Sequence, residues 1–214
     1  MQRIVILVVL ILYCAPPARS QKNSTSDYSR FEWFLGYSAM GVVNSDKILT
    51  SFGSDAGLET SLTRNLSKHW GIKGDFSAHF GTTEGTARIG QPFAPPGTTL
   101  DGTIEFEHRY FDFLIGPEFK WRNHTRLTPF AHALVGAGVG RGEVRLMFPG
   151  GTGLIKVSDT GVALALGGGF DIKVSKRFSF RTSLDYNPAL LGGNAIDPRG
   201  WRNQLRFSVG IVFH

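Results

Sequence analysis

The chain has 214 residues, with 23 lysines and arginines against 17 aspartates and glutamates, and one cysteine. A domain of this size without disulfides is held by backbone hydrogen bonds and packing, and the length suits a single β domain. The positive charge is spread over almost every predicted strand, whereas nucleic-acid-binding proteins concentrate it in one stripe or helix. The composition therefore excludes a disulfide-rich scaffold and a nucleic-acid partner.

The N-terminus has the pattern of a signal peptide. It combines a positive start at Arg3, an apolar run that ends at Tyr13 and a small-x-small cleavage site that ends at Ser20. The apolar run is shorter than the roughly 20 residues that a membrane helix needs. We predict a cleaved signal peptide over residues 1–20, a short N-terminal segment over 21–30 and one barrel domain over 31–214.

Apolar and polar residues alternate with a period of two in eight segments, which is typical of strands. The predicted strands cover 31–42, 57–67, 70–80, 107–121, 127–140, 160–174, 178–187 and 203–213. The turns at 67–69, 122–126 and 175–177 are short, whereas the connections 43–56, 81–106, 141–159 and 188–202 are long. In outer-membrane barrels short turns are periplasmic and long loops face outward. We therefore predict an all-β fold, an eight-stranded antiparallel up-and-down transmembrane β-barrel.

The aromatic residues indicate which face meets lipid. A membrane barrel turns its apolar face outward, whereas a soluble ligand-binding barrel keeps that face inside. Aromatic side chains gather at the strand ends beside the short turns, as a membrane-interface girdle would: Phe31, Trp33, Trp70, Trp121, Phe178, Phe180 and Phe213. A second, weaker belt is predicted at the opposite strand ends, from Phe80, Tyr110, Tyr186 and Trp201.

Charged residues on the opposite register should point into the narrow lumen. Such charges need partners, because buried ions are costly unless they are paired. We predict an interior charge network that fills the barrel, formed by Glu59, Lys73, Asp75, Asp112, Glu118, Asp171, Lys173, Arg181, Asp185 and Arg206.

Basic residues at the outward end of the barrel form a second candidate group. Lipopolysaccharide phosphates lie at this level of the membrane, and charge-assisted hydrogen bonds to phosphate are one use for such cations. The alternative is ordinary solvated loop charge. The residues are Arg88, Arg141, Arg145, Lys156, Arg199 and Arg202.

No motif in the sequence points to catalysis, a cofactor or a metal. The glycines between Gly136 and Arg145 do not complete G-x-G-x-x-G and precede no predicted helix. The six histidines lack the HExxH spacing of a zinc site. We therefore predict no catalytic residues, no cofactor and no metal.

The chain resembles the small outer-membrane β-barrel family related to the OmpA membrane domain and OmpX-like proteins. The resemblance covers residues 31–214 and rests on the long and short connections, the glycine-rich strands and the closing segment Leu205 to Phe213. It implies a cell outer membrane location and contact with outer-membrane lipid and lipopolysaccharide. We expect a monomer, although lipid-facing surfaces look alike whether or not they pair. The resemblance also implies that the barrel-assembly machinery recognises Phe213, although His214 follows it.

Three functions are consistent with this pattern. The leading hypothesis is a non-enzymatic outer-membrane barrel with a structural or surface-interaction role through four extracellular loops. The first alternative is a narrow porin for ions or small solutes, which single-channel conductance would reveal. The second is a soluble lipocalin-like ligand-binding barrel, which would be extracted without detergent.

Overall fold

The computed structural model describes residues 28–42, 55–89, 100–148, 151–192 and 200–214. They form ten strands: β1 Phe31–Val42, β2 Asp55–Asn65, β3 Trp70–Ile89, β4 Leu100–Lys120, β5 Leu127–Phe148, β6 Gly151–Lys173, β7 Phe178–Tyr186, β8 Ala189–Leu191, β9 Gly200–Arg202 and β10 Gln204–Phe213. The predicted signal peptide and most of the segment 21–30 lie outside the described residues.

Eight of the strands close into an antiparallel ring. Neighbours along the chain pair from β1 to β7, β10 pairs with β7, and β10 also pairs with β1. The contact that closes the ring pairs Trp33 with Phe213 and Val42 with Gln204. Closure gives each embedded strand a paired neighbour on both sides, as a membrane requires. The predicted eight-stranded up-and-down barrel is confirmed.

The strands differ greatly in length. β1, β2, β7 and β10 have 9 to 12 residues, whereas β3 to β6 have 20 to 23. The prediction of long loops over 81–106 and 141–159 was wrong for most of these residues. Continuous pairing carries β3–β4 to Ile89 and Leu100, and β5–β6 to Phe148 and Gly151. Four strands therefore rise together above the rim, about 25–30 Å along the strand direction at 3.3 Å per residue.

The last two barrel strands are interrupted instead of extended. β7 ends at Tyr186 because Pro188 has no N–H to donate to the ladder. Strand pairing resumes in the short hairpin β8–β9. Gly192, directly after β8, has a φ of 90°, a backbone conformation in which a residue with a side chain would be strained. This hairpin joins β6 through Ala163 and Ala189. An apolar cluster fills this part of the lumen: Met40, Tyr110, Leu114, Leu134, Ala163, Ala165, Ala189 and Leu191.

No helix among the described residues is long and apolar enough to cross a membrane.

Candidate functional site

The lumen contains two layers of buried ions. The layer nearer the short turns is built around Lys120 and Arg181. The Lys120 Nζ lies 3.2 Å from Asp171 Oδ2 and also contacts Glu32, while Arg181 binds both oxygens of Asp171, at 2.6 and 2.8 Å. Arg181 also reaches Glu118 from the opposite wall, at 3.6 Å. The layer thus ties β1, β4, β6 and β7 together across the lumen.

The second layer is built around Arg206 on β10. Its guanidinium lies 2.9 Å from Asp75 Oδ1 and 2.9 Å from Asp185 Oδ2, so it joins β3 to β7. Lys73 supplies a second cation, 3.0 Å from Asp75 and 3.4 Å from Glu59. These side chains are almost completely excluded from the surface. Their charges are compensated by each other, as buried ions require.

Most of the predicted lumen residues meet in these two layers. Asp112 is also buried, where it accepts hydrogen bonds from Ser77 (3.3 Å) and Asn187 (3.2 Å). Lys173 is the exception: it is exposed and lines a cavity of about 580 Å³ at the periplasmic mouth. It follows the inward register, but the strand ends there.

The sequence interpretation missed three members of the interior network. Glu32, Lys120 and His132 are buried, and His132 Nε2 lies 3.1 Å from Asp185 Oδ1. The signal for the first two was present, since Glu32 stands between Phe31 and Trp33, and Lys120 stands before Trp121. A charge between two lipid-facing aromatics must occupy the inward register.

The seven girdle aromatics all lie exposed on the outer face, beside the short turns. Trp33 and Phe213 contact each other across the closing strand pair, with ring centroids 5.5 Å apart. Phe80, Tyr186 and Trp201 are likewise exposed nearer the opposite end. Tyr110 was placed wrongly in this second belt: its side chain is only 5% exposed and belongs to the apolar cluster of the lumen. It alternates with the lipid-facing Phe111 and so takes the inward register.

The polarity of the two faces reverses where the strands leave the membrane. Up to the level of Phe80, Phe111 and Val139, the outward side chains are mostly apolar, and the inward ones are the buried ions of the two layers together with the apolar cluster of the lumen. Above this level, the outward register carries Glu84, Glu105, Glu107, Arg109, Arg141, Glu143, Arg145 and Lys156. The inward register carries Ile104, Phe106, Val144, Leu146, Ile155 and Val157. The uninterrupted pairing keeps both registers in phase, so the reversal lies in the sequence and not in a bulge.

The outward face of this projecting sheet is a lattice of opposite charges. The carboxylate of Glu143 lies 3.1 Å from Arg145 and 3.4 Å from Lys156. Arg145 also lies 3.6 Å from Glu105 and 3.8 Å from Glu107. The hydrogen bond from Arg145 lowers the pKa of Glu143, and the same bond raises the pKa of Arg145. Two of the six predicted lipopolysaccharide contacts, Arg145 and Lys156, thus already have carboxylate partners.

Arg141 differs from those two. It is directly opposite Arg109 in the β4–β5 ladder, and both are exposed on the outward register just above the lipid-facing Phe111 and Val139. Like charges directly opposite one another destabilise a strand pair unless something neutralises them. Arg109 Nη2 lies 3.9 Å from Glu107 Oε2, which compensates its charge in part. Arg109 was missed in the sequence because it was assigned to no group. Arg202 is exposed in β9, whereas the Arg88 side chain and Arg199 lie outside the described part of the structure.

A histidine–carboxylate pair lies at the outward mouth. His108 Nε2 is 2.5 Å from Asp55 Oδ1, which joins the projecting part of β4 to the first residue of β2. This hydrogen bond raises the pKa of His108, and the charge of Asp55 adds to the effect, while burial opposes it. No group of three or more possible metal ligands is present among the described residues.

Comparisons with known proteins bear on the fold. No family model and no curated protein sequence matches the chain. Among solved structures, it is similar to Ail, the attachment invasion locus protein of Yersinia pestis, with a TM-score of 0.52 and 16% identity over 86% of this chain and 96% of Ail. A structure of Ail with the heparin analogue sucrose octasulfate gives the same TM-score at 18% identity and the same coverage.

Neisserial surface protein A is similar too, with a TM-score of 0.51 and 12% identity over 86% of this chain and 97% of that protein. Matches at such low sequence identity are evidence of a similar fold. Together with the apolar outer face and the charged lumen, they support the predicted location in a bacterial outer membrane. The chain is a small eight-stranded transmembrane β-barrel of the outer-membrane type, with the fold of Ail and Neisserial surface protein A.

Proposed function

We propose that the chain is a non-enzymatic outer-membrane barrel that holds a four-stranded sheet above the membrane as a contact surface for extracellular partners. The reversal of polarity along β3 to β6 carries this proposal. Strands built only to anchor a barrel need not continue past the lipid. These continue for eight or more residues and change to a water-exposed charged face. The contact surface is therefore a sheet and its edges, in place of the four separate loops that the sequence suggested.

The filled lumen favours a scaffold over a porin. Side chains from opposite walls meet at two levels, as when Arg206 on β10 binds Asp75 on β3. Moving an ion through would require breaking buried ion pairs, whose disruption leaves uncompensated charge. In planar bilayers we expect little or no single-channel conductance. Steady open channels would contradict this part of the proposal and restore the narrow porin.

The edges of the projecting sheet suggest how a partner could bind. Above Phe80, β3 pairs with β4 on one side, and no described strand pairs with its other edge. Likewise, no described strand pairs with the outer edge of β6 above Ala163. Unpaired edge N–H and C=O groups are templates for adding a strand. A protein partner with an extended segment fits such an edge. The mixed charge of the outward face also suits a protein better than a polyanion.

Shortening the sheet tests the proposal. One variant replaces residues 84–105 and 143–156 with Asn-Gly turns, which joins Thr83 to Phe106 and Gly142 to Val157 in their native registers. Cells that display the full chain should adhere to at least one of a set of immobilised extracellular-matrix and serum proteins, and the short variant should not.

The embedded barrel provides the control for correct folding. Both proteins should give the same compact, heat-modifiable band on SDS gels, because the embedded strands are unchanged. A correctly folded short variant that adheres as well as the full chain would exclude the sheet as the contact surface.

The Arg109–Arg141 pair is a second point of contact, in this case with lipopolysaccharide phosphate. The pair lies on the lipid-facing side at the outward rim, and a phosphate between the two guanidinium groups would relieve their repulsion. We expect R109Q/R141Q to weaken lipopolysaccharide binding in detergent, measured by native mass spectrometry. E143Q/K156Q, which removes an internally paired couple, should not. If both variants bind lipopolysaccharide equally well, Arg109 and Arg141 are ordinary solvated charges.

Recognition of Phe213 by the assembly machinery and a monomeric state remain predictions. The structure adds one relevant fact about the residue after the aromatic. His214 donates its backbone N–H to Arg177 O at 2.8 Å, and its side chain lies 2.8 Å from Ser179 Oγ, so it turns into the periplasmic mouth. Phe213 stays exposed on the outer face.

A further inference from the structure

The periplasmic end of the barrel has a one-sided charge. All three short turns contain basic residues, and none contains an aspartate or a glutamate. In the part of the chain that the structure describes, seven exposed cations surround this end: Arg30, Arg64, Lys68, Arg126, Lys173, Lys176 and Arg177. The acidic side chains nearby, Glu32, Glu118 and Asp171, are buried in the lumen and already paired. Among the described residues, this end therefore has exposed positive charge without exposed carboxylate side chains to neutralise it.

The seven cations divide into two groups by position. Lys68, Lys173 and Lys176 line the cavity at the mouth. The four arginines, which we call the arginine rim, do not line it: Arg30 precedes β1, Arg64 is the penultimate residue of β2, Arg126 precedes β5 and Arg177 precedes β7. The exposed arginines of the rim thus lie around the mouth, beyond the residues that line its cavity, while the lysines raise the potential at its centre.

Arg64 shows the environment of the rim most directly. It occupies the outward register of β2, between Phe31 on β1 and Ile72 on β3, both of them exposed on the lipid face. The next outward residue along β2 is Leu62, which pairs with Trp33 of the girdle. A cation at the depth of the interfacial aromatics lies at the level of lipid head groups.

The other rim arginines are held by backbone contacts at the same level. The carbonyl of Arg30 accepts a hydrogen bond from the Asn65 N–H (2.8 Å), which sets it beside Arg64. The carbonyls of Arg126 and Arg177 accept from Lys173 and His214, each at 2.8 Å. Their positions are therefore fixed, and only the long side chains need to order around a ligand. Arginine also matches phosphate with two parallel hydrogen bonds, which lysine cannot do.

From these observations we propose that the arginine rim binds the phosphates of anionic phospholipid head groups in the inner leaflet of the outer membrane. An anionic lipid is favoured over a zwitterionic one because, among the described residues, this end offers no exposed aspartate or glutamate side chain for an ammonium group. Each basic residue near an anionic surface contributes about a five-fold preference. The projecting sheet has no such imbalance, since its described residues mix acids and bases. The rim is independent of the proposed extracellular contact.

Tryptophan quenching can measure this preference at the correct end. Replacing Trp201 by phenylalanine leaves Trp33, Trp70 and Trp121, all in the periplasmic girdle. The W201F protein is placed in bilayers in which either phosphatidylglycerol or phosphatidylcholine carries bromine, and quenching by the two lipids gives their relative binding. We expect about a five-fold preference for phosphatidylglycerol, which decreases as salt is added.

Two matched variants decide the outcome. R30Q/R64Q/R126Q/R177Q should bring the preference close to one, whereas R109Q/R141Q/R145Q/R202Q removes the same charge from the other end and should leave it unchanged. A heat-modifiable band checks folding of both. Persistence of the preference in the rim variant, or its insensitivity to salt, would overturn the proposal. A protein that sediments with purified peptidoglycan only when the rim arginines are present, and that shows no lipid preference, would also overturn the proposal. The cations would then bind the cell wall.

Discussion

The embedded and projecting parts of β3 to β6 share the same strands and the same ladder but have opposite polarity. In the embedded part, Val135 faces outward among apolar neighbours and is 51% exposed. In the projecting part, Leu154 faces outward among charged neighbours and is 53% exposed. The same exposed fraction therefore corresponds to contact with lipid at one level and to contact with water at the other. A β-strand can therefore continue for as long as a neighbouring strand pairs with its backbone N–H and C=O groups, whatever side chains its two faces carry.

The two parts also use charge differently. In the lumen, ions are buried and each depends on its partners, whereas on the projecting sheet the ions are partly exposed and screened by water. A buried pair is costly to break, and a surface pair contributes little.

Removing Arg206 should have the largest effect. The change R206M leaves Asp75, Asp185 and Glu59 without their shared cation, which should cost about 3–5 kcal/mol of unfolding free energy. Urea unfolding of the protein in detergent micelles, followed by tryptophan fluorescence, measures the change. The control K156M removes an exposed cation paired with Glu143 on the projecting sheet and should leave the unfolding midpoint almost unchanged. Equal effects would contradict the distinction between buried and surface ions.

Placing arginine on the outward face should distinguish lipid from water. V135R puts a charge near the middle of the lipid-facing wall and should cost about 2–4 kcal/mol. M147R puts the same charge on the outward face of the projecting sheet, opposite Thr103 and Thr152, and should change stability by no more than about 0.5 kcal/mol. Unfolding in lipid vesicles compares the two. A small cost for V135R would place the membrane at a different level of the barrel.

Two glycines provide a comparison of packing. A Cβ on Gly136 would lie 1.9 Å from the Phe113 carbonyl oxygen on the neighbouring strand, whereas a Cβ on Gly85 meets nothing within 4 Å. We expect G136A to cost about 1–3 kcal/mol, because the tight lumen wall must shift. G85A should be neutral or slightly stabilising, because it only restricts the unfolded chain. The same urea assay applies, and a neutral G136A would show that the wall can relax.

The pH dependence of the outward mouth should be the smallest effect. Because the pKa of His108 is raised above its ordinary value of 6.5, the His108–Asp55 pair stabilises the mouth fully below pH 6.5 and loses this contribution as the pH rises through the raised pKa. NMR titration of the imidazole signal, assigned with H108Q, measures this pKa. In D55N the pKa should fall towards 6.5. An unchanged pKa in D55N would mean that the pair does not form.

The sequence predicted the embedded part well because one rule controls it. Lipid on one side and a narrow lumen on the other force a strict alternation, so Leu205 to Phe213 or Trp70 to Phe80 could be assigned a face directly. The same rule failed above the rim, where Glu105 and Arg145, which lie on the outward register of strands, were assigned to the long connections 81–106 and 141–159. A pattern that defines strands by an apolar outer face cannot follow them into water.

Local alternation and turn length are therefore sufficient to predict the number of barrel strands, their direction, the lipid-facing girdle and most of the ions that enter the lumen. Tertiary structure was needed to show which ions meet, because Arg206 and Asp75 are 131 positions apart and come together only when the ring closes. It alone decided how far β3 to β6 project, since that depends on the partner strand supplying hydrogen bonds. It also decided that Lys173 lies in water at the mouth, since the depth of the mouth is set by all eight strands together.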